Sequence, residues 1–311
     1  MSNKKTIVVL MMLCSLILTV GCGSGNQGDK KSETSTGSSD SVQISVINEL
    51  DNETDNDLST ENSVPYTIEE QLLVDEAGVK ITATEYVTDS IWGDGIKLFI
   101  ENNTQQNIMV GCTALIVNDY MISDLFSAQI AAGKQDYETL YLSSSQLKQA
   151  GIDNVGKIEI YFHAYDDGTW EDLFTDKYVC LETSDVANVD TLSSIDGEEI
   201  YNQNGIRLVA QYVDENDFWG TAILVHAENN TSENIHISID NVSVNGLMVD
   251  AIYSSTVYSG KKSFDDITIF SSSMEENGIT DINDIEFTFT IYNEDTFDTI
   301  VESEPIKLTL N

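Results

Sequence analysis

The side chains that most often carry chemistry in proteins are scarce in this sequence. Only three residues are histidines, His163, His226 and His236, although nucleophilic and metal chemistry usually recruits histidine. Glu101 and Glu228 stand in two matching segments, but nothing places a second carboxylate at a fixed distance from either for acid/base work. We therefore predict no catalytic residues, no enzymatic activity and no cofactor.

Two acid-rich segments offer oxygen ligands of the kind that calcium prefers. Residues 166–172 have the sequence Asp-Asp-Gly-Thr-Trp-Glu-Asp, and residues 293–298 have the sequence Asn-Glu-Asp-Thr-Phe-Asp. Their spacing differs from that of an EF-hand loop. We interpret them as solvated hairpins whose single aromatic residue covers the edge of the fold, and predict no metal site.

Cysteines are few, and their positions argue against a disulfide. Cys112 falls on the inward side of an alternating strand pattern, whereas Cys180 lies between two inward-facing residues and therefore points outward. Although exported proteins commonly pair their cysteines, we predict no disulfide between these two.

The N-terminus has the features of an export signal. A pair of lysines precedes an apolar run over residues 7–20, which is long enough for a signal peptide and short for a membrane span. The run ends in Leu-Thr-Val-Gly-Cys at 18–22, which resembles the lipobox of bacterial lipoproteins. The resemblance implies that Cys22 is lipidated and that the chain is anchored by lipid at the extracytoplasmic face of the cell membrane. The alternative is ordinary secretory cleavage nearby.

The segment that follows is polar and acidic. Residues 23–64 are mostly Ser, Thr, Gly, Asn, Asp and Glu, and such a composition buries too little apolar surface to fold. We predict a disordered tether over residues 22–65.

Charge restricts the partners of the chain. There are 14 lysines and arginines against 53 acids, a net charge of -39. Nucleic acid is excluded as a partner because its phosphates need basic contacts. Basic proteins, cations and neutral glycans stay open as partners.

One tetrapeptide, Glu-Asn-Asn-Thr, occurs twice, at 101–104 and at 228–231. The offset of 127 positions also aligns Trp92-Gly93 with Trp219-Gly220, and the register holds without a gap from Gly78 and Gly205 to Leu181 and Leu308. Such self-similarity indicates a duplicated domain.

Both copies alternate apolar and polar residues with the period of half-buried strands, as at Val79, Ile81 and Ala83. Short helices are predicted only at 145–150 and 273–277. About seven strands in each copy fit a β-sandwich of immunoglobulin-like type. The repeated tetrapeptide is predicted to form a turn in which Asn tolerates a left-handed backbone and Asn and Thr bond local amides.

The predicted fold is therefore all-β, with two tandem immunoglobulin-like β-sandwich domains, each with one short helix, after a disordered tether. The predicted segments are a signal peptide (1–21), the tether (22–65), the first sandwich (66–184), a linker (185–199) and the second sandwich (200–311).

Several segments resemble immunoglobulin-like domains of unknown function that occur, often in tandem, in surface lipoproteins of Gram-positive bacteria. They are residues 223–231 (ILVHAENNT), 244–248 (VNGLM), 259–262 (SGKK) and 282–287 (INDIEF). The resemblance implies the fold and a cell-surface setting, and it supplies no catalytic residues.

The sequence favours a surface-anchored binding or interaction module for an unknown protein or glycan. Strand directions predict that loops 214–220 and 245–248 are the most distal, so the candidate partner contacts are Phe218, Trp219 and Met248. Alternatively, Trp219 and its counterpart Trp92 cap the core. A glycan-binding module that uses Trp92, Trp170 or Trp219 and a purely structural spacer are the other possibilities.

Overall fold

The fold is all-β, as predicted, with two six-residue helices, α1 (Ser144–Gln149) and α2 (Ser271–Glu276). A computed structural model describes residues 66–89, 91–123, 126–189, 195–217 and 220–309, and these residues belong to one compact unit. The predicted signal peptide and tether lie outside the described residues.

Strands β1 to β9 form a first sandwich and β10 to β20 a second. The first nine are β1 (Gln71–Glu76), β2 (Val79–Asp89), β3 (Gly93–Asn102), β4 (Ile108–Val117), β5 (Tyr120–Ile122), β6 (Ser127–Ile130), β7 (Gln135–Tyr141), β8 (Lys157–Asp166) and β9 (Asp172–Glu182). The others are β10 (Glu198–Gln203), β11 (Ile206–Asp217), β12 (Gly220–Asn229), β13 (Ile235–Val244), β14 (Leu247–Met248), β15 (Ala251–Ile252), β16 (Ser254–Val257), β17 (Lys262–Phe270), β18 (Asp284–Asn293), β19 (Thr299–Glu302) and β20 (Ile306–Thr309).

Each sandwich has the same sheet order. In the first, β1-β2-β3-β7 faces a sheet of β5 and β6 beside β4-β8-β9. In the second, β10-β11-β12-β17 faces a sheet of β14 and β16 beside β13-β18, with β19 and β20 on the outer side. The described strands pair antiparallel except at one point, a parallel bridge between Lys262 of β17 and Tyr120 of β5. Through that bridge, the sheet of β10-β11-β12-β17 in the second sandwich continues into the sheet of β5-β4-β8-β9 in the first.

The predicted alternation is confirmed by burial. Val79, Ile81 and Ala83 are fully buried, and so are their counterparts on β11. Two hydrophobic clusters fill the two sandwiches, and residues of β2, β3, β4 and β8 dominate the first, as β11, β12, β13 and β18 do the second. Period-two sequence patterns therefore located both cores.

The helices are also where the sequence predicted them, within two residues. Gly151 follows α1 with a φ of 63°, its amide bonds the carbonyl of Lys148, and the next amide bonds that of Leu147. This is the Schellman arrangement, which needs a left-handed residue after the helix. Gly278, with a φ of 67°, closes α2 in the same way.

The repeated tetrapeptide does form the predicted turn, between β3 and β4 and between β12 and β13, but the left-handed backbone expected of its asparagines is wrong. Asn102 is 1% exposed and acts through its side chain. Its Nδ2 donates to the carbonyls of Gln106 (2.8 Å) and Ile130 (2.9 Å), while its Oδ1 accepts from the amide and hydroxyl of Thr104. Asn229 makes the equivalent bonds. Each asparagine ties its turn to the neighbouring strand.

The direction of the first strand corrects the sequence-based orientation. The sequence-based orientation of the loops took the strand with Val79, Ile81 and Ala83 as the first of the sandwich, so that the chain would enter it beside Glu101–Thr104. In the structure β1 precedes that strand and runs the opposite way. Tyr66 consequently lies beside Asn154, to which its hydroxyl donates (2.9 Å), and Asn154 in turn accepts from the side chain of Asn118. The described chain thus begins at the end of the first sandwich that carries the Asn118 turn, not at the end that carries Glu101–Thr104.

Candidate functional site

The hairpin between β13 and β14, residues 245–248, is called the tip. Asn245 and Gly246 have φ values of 52° and 78°, and two positive φ angles are what a two-residue hairpin turn requires. The Asn245 side chain donates to the carbonyl of Asp281 (2.7 Å) and accepts from the amide of Asn283 (2.8 Å). These bonds fix the tip against the loop before β18.

The tip presents apolar side chains to solvent. Leu247 is 45% exposed and Met248 is 61% exposed. Of the three predicted contact residues, the structure describes Met248; Phe218 and Trp219 lie outside the described residues. Exposed apolar side chains among acidic neighbours are typical of contact sites.

The exposure of Trp92 in the first sandwich tests the alternative that Trp219 and its counterpart Trp92 cap the core. Trp92 is 66% exposed, and its ring lies 6.2 Å from that of Tyr141, which is itself exposed. Capping the core is therefore wrong for Trp92. Its position in the β2–β3 hairpin, whose Gly93 has a φ of 81°, projects the indole outward.

The acid-rich hairpins carry exposed aromatic residues, which corrects the expectation that these residues cover the edge of the fold. Trp170 is 72% exposed, with a φ of 63°, and stacks on Tyr165 at 5.3 Å between ring centroids. Phe297 is 70% exposed, with a φ of 61°, and lies 6.2 Å from Tyr292. Both sandwiches thus display an aromatic platform at the same place.

The carboxylate of Asp166 is used within its own hairpin. It accepts bonds of 2.8 Å from the amides of Thr169 and Gly168, and these bonds lower its pKa. Within the described part of the chain, no three His, Cys, Asp or Glu side chains are grouped so that they could hold a metal ion.

One side-chain cluster was not found from the sequence. His236 Nε2 lies 3.0 Å from the hydroxyl of Ser254, and its Nδ1 lies 3.1 Å from Glu294 Oε2 and 2.9 Å from the hydroxyl of Thr256. The imidazole stacks on Tyr292 at 4.8 Å. Its partners are 18 to 58 residues away in sequence, so no local motif signals the cluster.

The cluster has the residue types of a serine–histidine–acid arrangement, and the first sandwich has Met109 in place of His236. At the same place in the first sandwich, Gln129 of β6 bonds Asp167 of the acid-rich hairpin. Two open grooves in the described chain lie elsewhere, one beside Thr183 and Cys180 and one beside Tyr201.

The two cysteines lie apart in the structure. Cys112 is on β4 and packs against the first core, whereas Cys180 is on β9, with β8 between them. Cys180 lies between the core residues Val179 and Leu181 and therefore on the outer face of β9, as predicted, where it pairs with Glu159 across strands and is half-buried. Burial raises the pKa of its thiol.

The contact between the two sandwiches, called the junction, has an aromatic centre. Tyr120 of the first sandwich stacks on Phe264 of the second, with ring centroids 5.8 Å apart and planes at 9°. His226 lies 4.6 Å from Phe264 and is 1% exposed. The Lys262 ammonium lies 5.4 Å over the Tyr120 ring, a cation–π contact.

His226 is buried at the junction without a hydrogen bond to either ring nitrogen from any described residue. Burial, together with the Lys262 and Arg207 cations, lowers its pKa to about 4. Glu228, the nearest acid, lies 3.8 Å from Nδ1 and is bonded instead to Arg207. The imidazole is therefore neutral at pH 7.

An ion cluster surrounds this centre. Lys261 donates to Asp119 (2.6 Å) and to Glu159, which also accepts from Tyr178 (2.9 Å) and lies 3.1 Å from Lys157. Burial would raise the pKa of Glu159, but the bonds from Lys261, Tyr178 and Lys157 hold it below its ordinary value.

Comparisons with known proteins are uninformative about function. No protein-family model matches the sequence, and no curated protein sequence matches it. Similar solved structures are a protein of unknown function from Porphyromonas gingivalis W83 (11% identity, 79% of this chain and 100% of that one, TM-score 0.21), the YadV chaperone (12%, 75% and 100%, 0.21) and red sea bream transglutaminase (7%, 78% and 31%, 0.22). Similarities this weak carry no argument. Neither helix in the described residues is long and apolar enough to cross a bilayer.

Proposed function

We propose that this chain is a lipid-anchored bacterial lipoprotein that displays two immunoglobulin-like domains, at residues 66–184 and 200–311, as a binding module on the extracytoplasmic face of the cell membrane. The apolar run before Cys22 and the polar segment after it support the anchor. The duplicated sheet order supports the tandem domains. Recognition is non-enzymatic and needs no cofactor.

The observation that carries the binding role is the exposure of Leu247 and Met248 at the tip. A rigid hairpin that holds two apolar side chains in solvent can contact a partner with little ordering cost. The partner is a protein, because the tip offers apolar contact area and few hydrogen-bonding side chains.

The anchor is tested at the lipidated residue. Cys22→Ser in the full chain removes the acyl acceptor, so the protein should stay unprocessed or be shed and should no longer partition into detergent. Cys112→Ser is the matched control, since its thiol is on β4. Unchanged partitioning of Cys22→Ser would contradict the lipoprotein assignment.

The contact site is tested by capture of cell-surface proteins. Met248→Ala and Trp219→Ala should each reduce capture while the protein stays folded, and Trp92→Ala should not, because it changes the equivalent hairpin of the first sandwich. A loss of roughly 3–5 kcal/mol of stability in Trp219→Ala would instead place that indole in the core.

Glycan binding is the second candidate, and the stacked Trp170–Tyr165 pair favours it. An exposed indole at 72% offers a flat apolar face of the kind that stacks on sugars. Trp170→Ala should abolish binding on a glycan array, with Trp92→Ala as the control. Equal array signals from wild type and Trp170→Ala would remove this candidate.

A further inference from the structure

We propose that the outer ends of the two sandwiches bind each other in separate copies of this chain, so that the protein associates head to tail. The inference goes beyond the proposed function in naming an occupant of the tip, and it rests on that function only in taking the tip as a contact site. The contacts of the internal junction show the geometry that we propose for the contact between copies.

The duplication places equivalent surfaces on the two sandwiches. The junction uses the Asn118–Asp119 turn and Tyr120 of the first sandwich against β12 and β17 of the second. Because the two copies have the same sheet order, each surface recurs at the 127-residue offset on the other sandwich. The tip is the counterpart of the Asp119–Tyr120 turn. The counterpart of the β12–β17 surface lies on β3 and β7.

The recurring surface, called the outer patch, comprises Phe99 of β3, Tyr137 of β7 and Lys134, which directly precedes β7. Phe99 and Tyr137 are the counterparts of His226 and Phe264, and their rings lie 4.7 Å apart, close to the 4.6 Å of that pair. Tyr137 is 57% exposed and Phe99 is half-buried. An aromatic pair that is covered at the junction is therefore open at the outer patch.

The opposing surface has matching apolar groups. Leu247, 45% exposed, is the counterpart of Tyr120, and Met248, 61% exposed, is the counterpart of Met121. Met121 packs against the second core across the junction. A leucine and a thioether against two aromatic rings are a favourable combination.

Charge complementarity follows the same correspondence. Lys134 and Glu286 are the counterparts of Lys261 and Glu159, which pair at the junction. Lys134 and Glu286 are exposed, and neither forms a salt bridge with another described residue. Placed as at the junction, they would pair between copies.

The external contact is weaker than the junction. Gly246 stands where Asp119 supplies a second carboxylate to Lys261, and the net charge of -39 opposes association. A heterologous contact of this kind is not self-limiting, so it builds open chains or rings. High local concentration on a membrane favours such a contact.

The test is a disulfide between copies. Tyr120 and Lys262 are bridge partners at the junction, so their exposed counterparts, Leu247 and Gln135, should come within disulfide distance. One full chain carries Gln135→Cys and a second, differently tagged, carries Leu247→Cys. Mild oxidation of the mixture should give a mixed dimer several-fold above the background.

The background is set by a matched pair, Gln135→Cys with Ser232→Cys, whose cysteine is exposed in the β12–β13 turn at the opposite end of the second sandwich. Both pairs retain the native cysteines. Equal yields from the two pairs would overturn the proposal.

A charge exchange separates specific docking from random collision. Lys134→Glu in the Gln135→Cys chain should reduce the mixed dimer several-fold, and Glu286→Lys in its partner should restore it. Lack of restoration also overturns the proposal. Because only two purified copies are present, a negative result leaves capture of other surface proteins by the tip as a separate question.

Discussion

At the scale of single residues, the repeated tetrapeptide is a structural device. Asn102 and Asn229 are buried, and each satisfies two carbonyls, one amide and one hydroxyl around its turn. Sequence alone predicted the turn and its bonds from Asn and Thr to local amides. It wrongly expected a left-handed backbone at the asparagines, and it missed their bonds to another strand, because a buried side-chain bond of that kind has no local signature.

Asn102→Ala should lower the free energy of unfolding by about 2–3 kcal/mol, because it removes the side-chain donor to the carbonyls of Gln106 and Ile130 and the acceptor of the Thr104 amide. Asn103→Ala is the control, since this residue is exposed and is bonded through its backbone amide; its effect should stay within about 0.5 kcal/mol. Urea denaturation measures both. Equal losses would show that the buried bonds contribute little.

His226 gives a prediction that depends on pH. Its pKa is about 4 in the folded chain and 6.5 without burial, so the folded state binds fewer protons. Its contribution to stability is present above pH 6.5 and is lost as pH falls toward 4, by up to roughly 3 kcal/mol.

His226→Phe, which introduces the residue found at the equivalent position 99, should therefore stabilise the protein, and its advantage should grow as pH falls from 6.5 to 4. His163→Phe, on the outer face of β8, makes the same chemical change away from the junction and serves as the matched control. Thermal denaturation at several pH values decides the matter. Parallel stability curves for wild type and His226→Phe would refute the burial argument.

At the scale of elements, the sequence predicted the strands that bury a face and missed those that do not. In β1 only Val74 is fully buried, and in β10 no residue is. Such edge strands carry no period-two pattern, because one face does not enter a core. The 127-residue register predicted the repeat more reliably than the period-two pattern predicted single strands, since the register depends on paired identities and not on burial.

Strand β17 places an acidic residue, Asp265, on the side that faces the core. Asp265 lies on the same side of the strand as the core residue Ile267, and it accepts from Ser255 of β16. Burial raises the pKa of Asp265, against the hydrogen bonds from Ser255 and Ser263. The stability that this group contributes is present at acidic pH and is lost as pH rises through its folded pKa.

Asp265→Asn should therefore raise the free energy of unfolding at pH 7, by roughly 1 kcal/mol, because an amide can still accept the serine bond without a buried charge. Asp240→Asn, at an exposed position of β13, makes the same change in net charge and should have a smaller effect. Chemical denaturation at pH 7 compares them. A destabilised Asp265→Asn would mean that the carboxylate is needed in its ionised form.

At the scale of the whole molecule, the junction makes one body of two similar sandwiches. Its residues differ from their counterparts where the copies meet: Asp119 and Tyr120 replace the residue types of Gly246 and Leu247, and His226 replaces that of Phe99. In the sequence these positions are visible only as mismatches between the two copies. The residues at these positions contact the other copy, and the sequence pattern of a single copy does not reveal such contacts.

Lys261 tests whether the junction couples the two sandwiches during unfolding. It is 13% exposed and pairs with Glu159, whose side chain is 6% exposed. Lys261→Met leaves that carboxylate with Lys157 and Tyr178 as partners, so we expect a loss of about 2–4 kcal/mol at the junction. Differential scanning calorimetry should then resolve two transitions where the wild type shows one.

Lys134→Met is the matched control, because Lys134 occupies the equivalent position in the first sandwich and is exposed. In dilute solution it should leave the transition unchanged, since an exposed charge contributes little to stability. If Lys261→Met and Lys134→Met gave the same single transition, the ion cluster would not couple the sandwiches. A split confined to Lys261→Met would instead mean that the buried ion pair, more than the single parallel bridge, makes the tandem fold one cooperative unit.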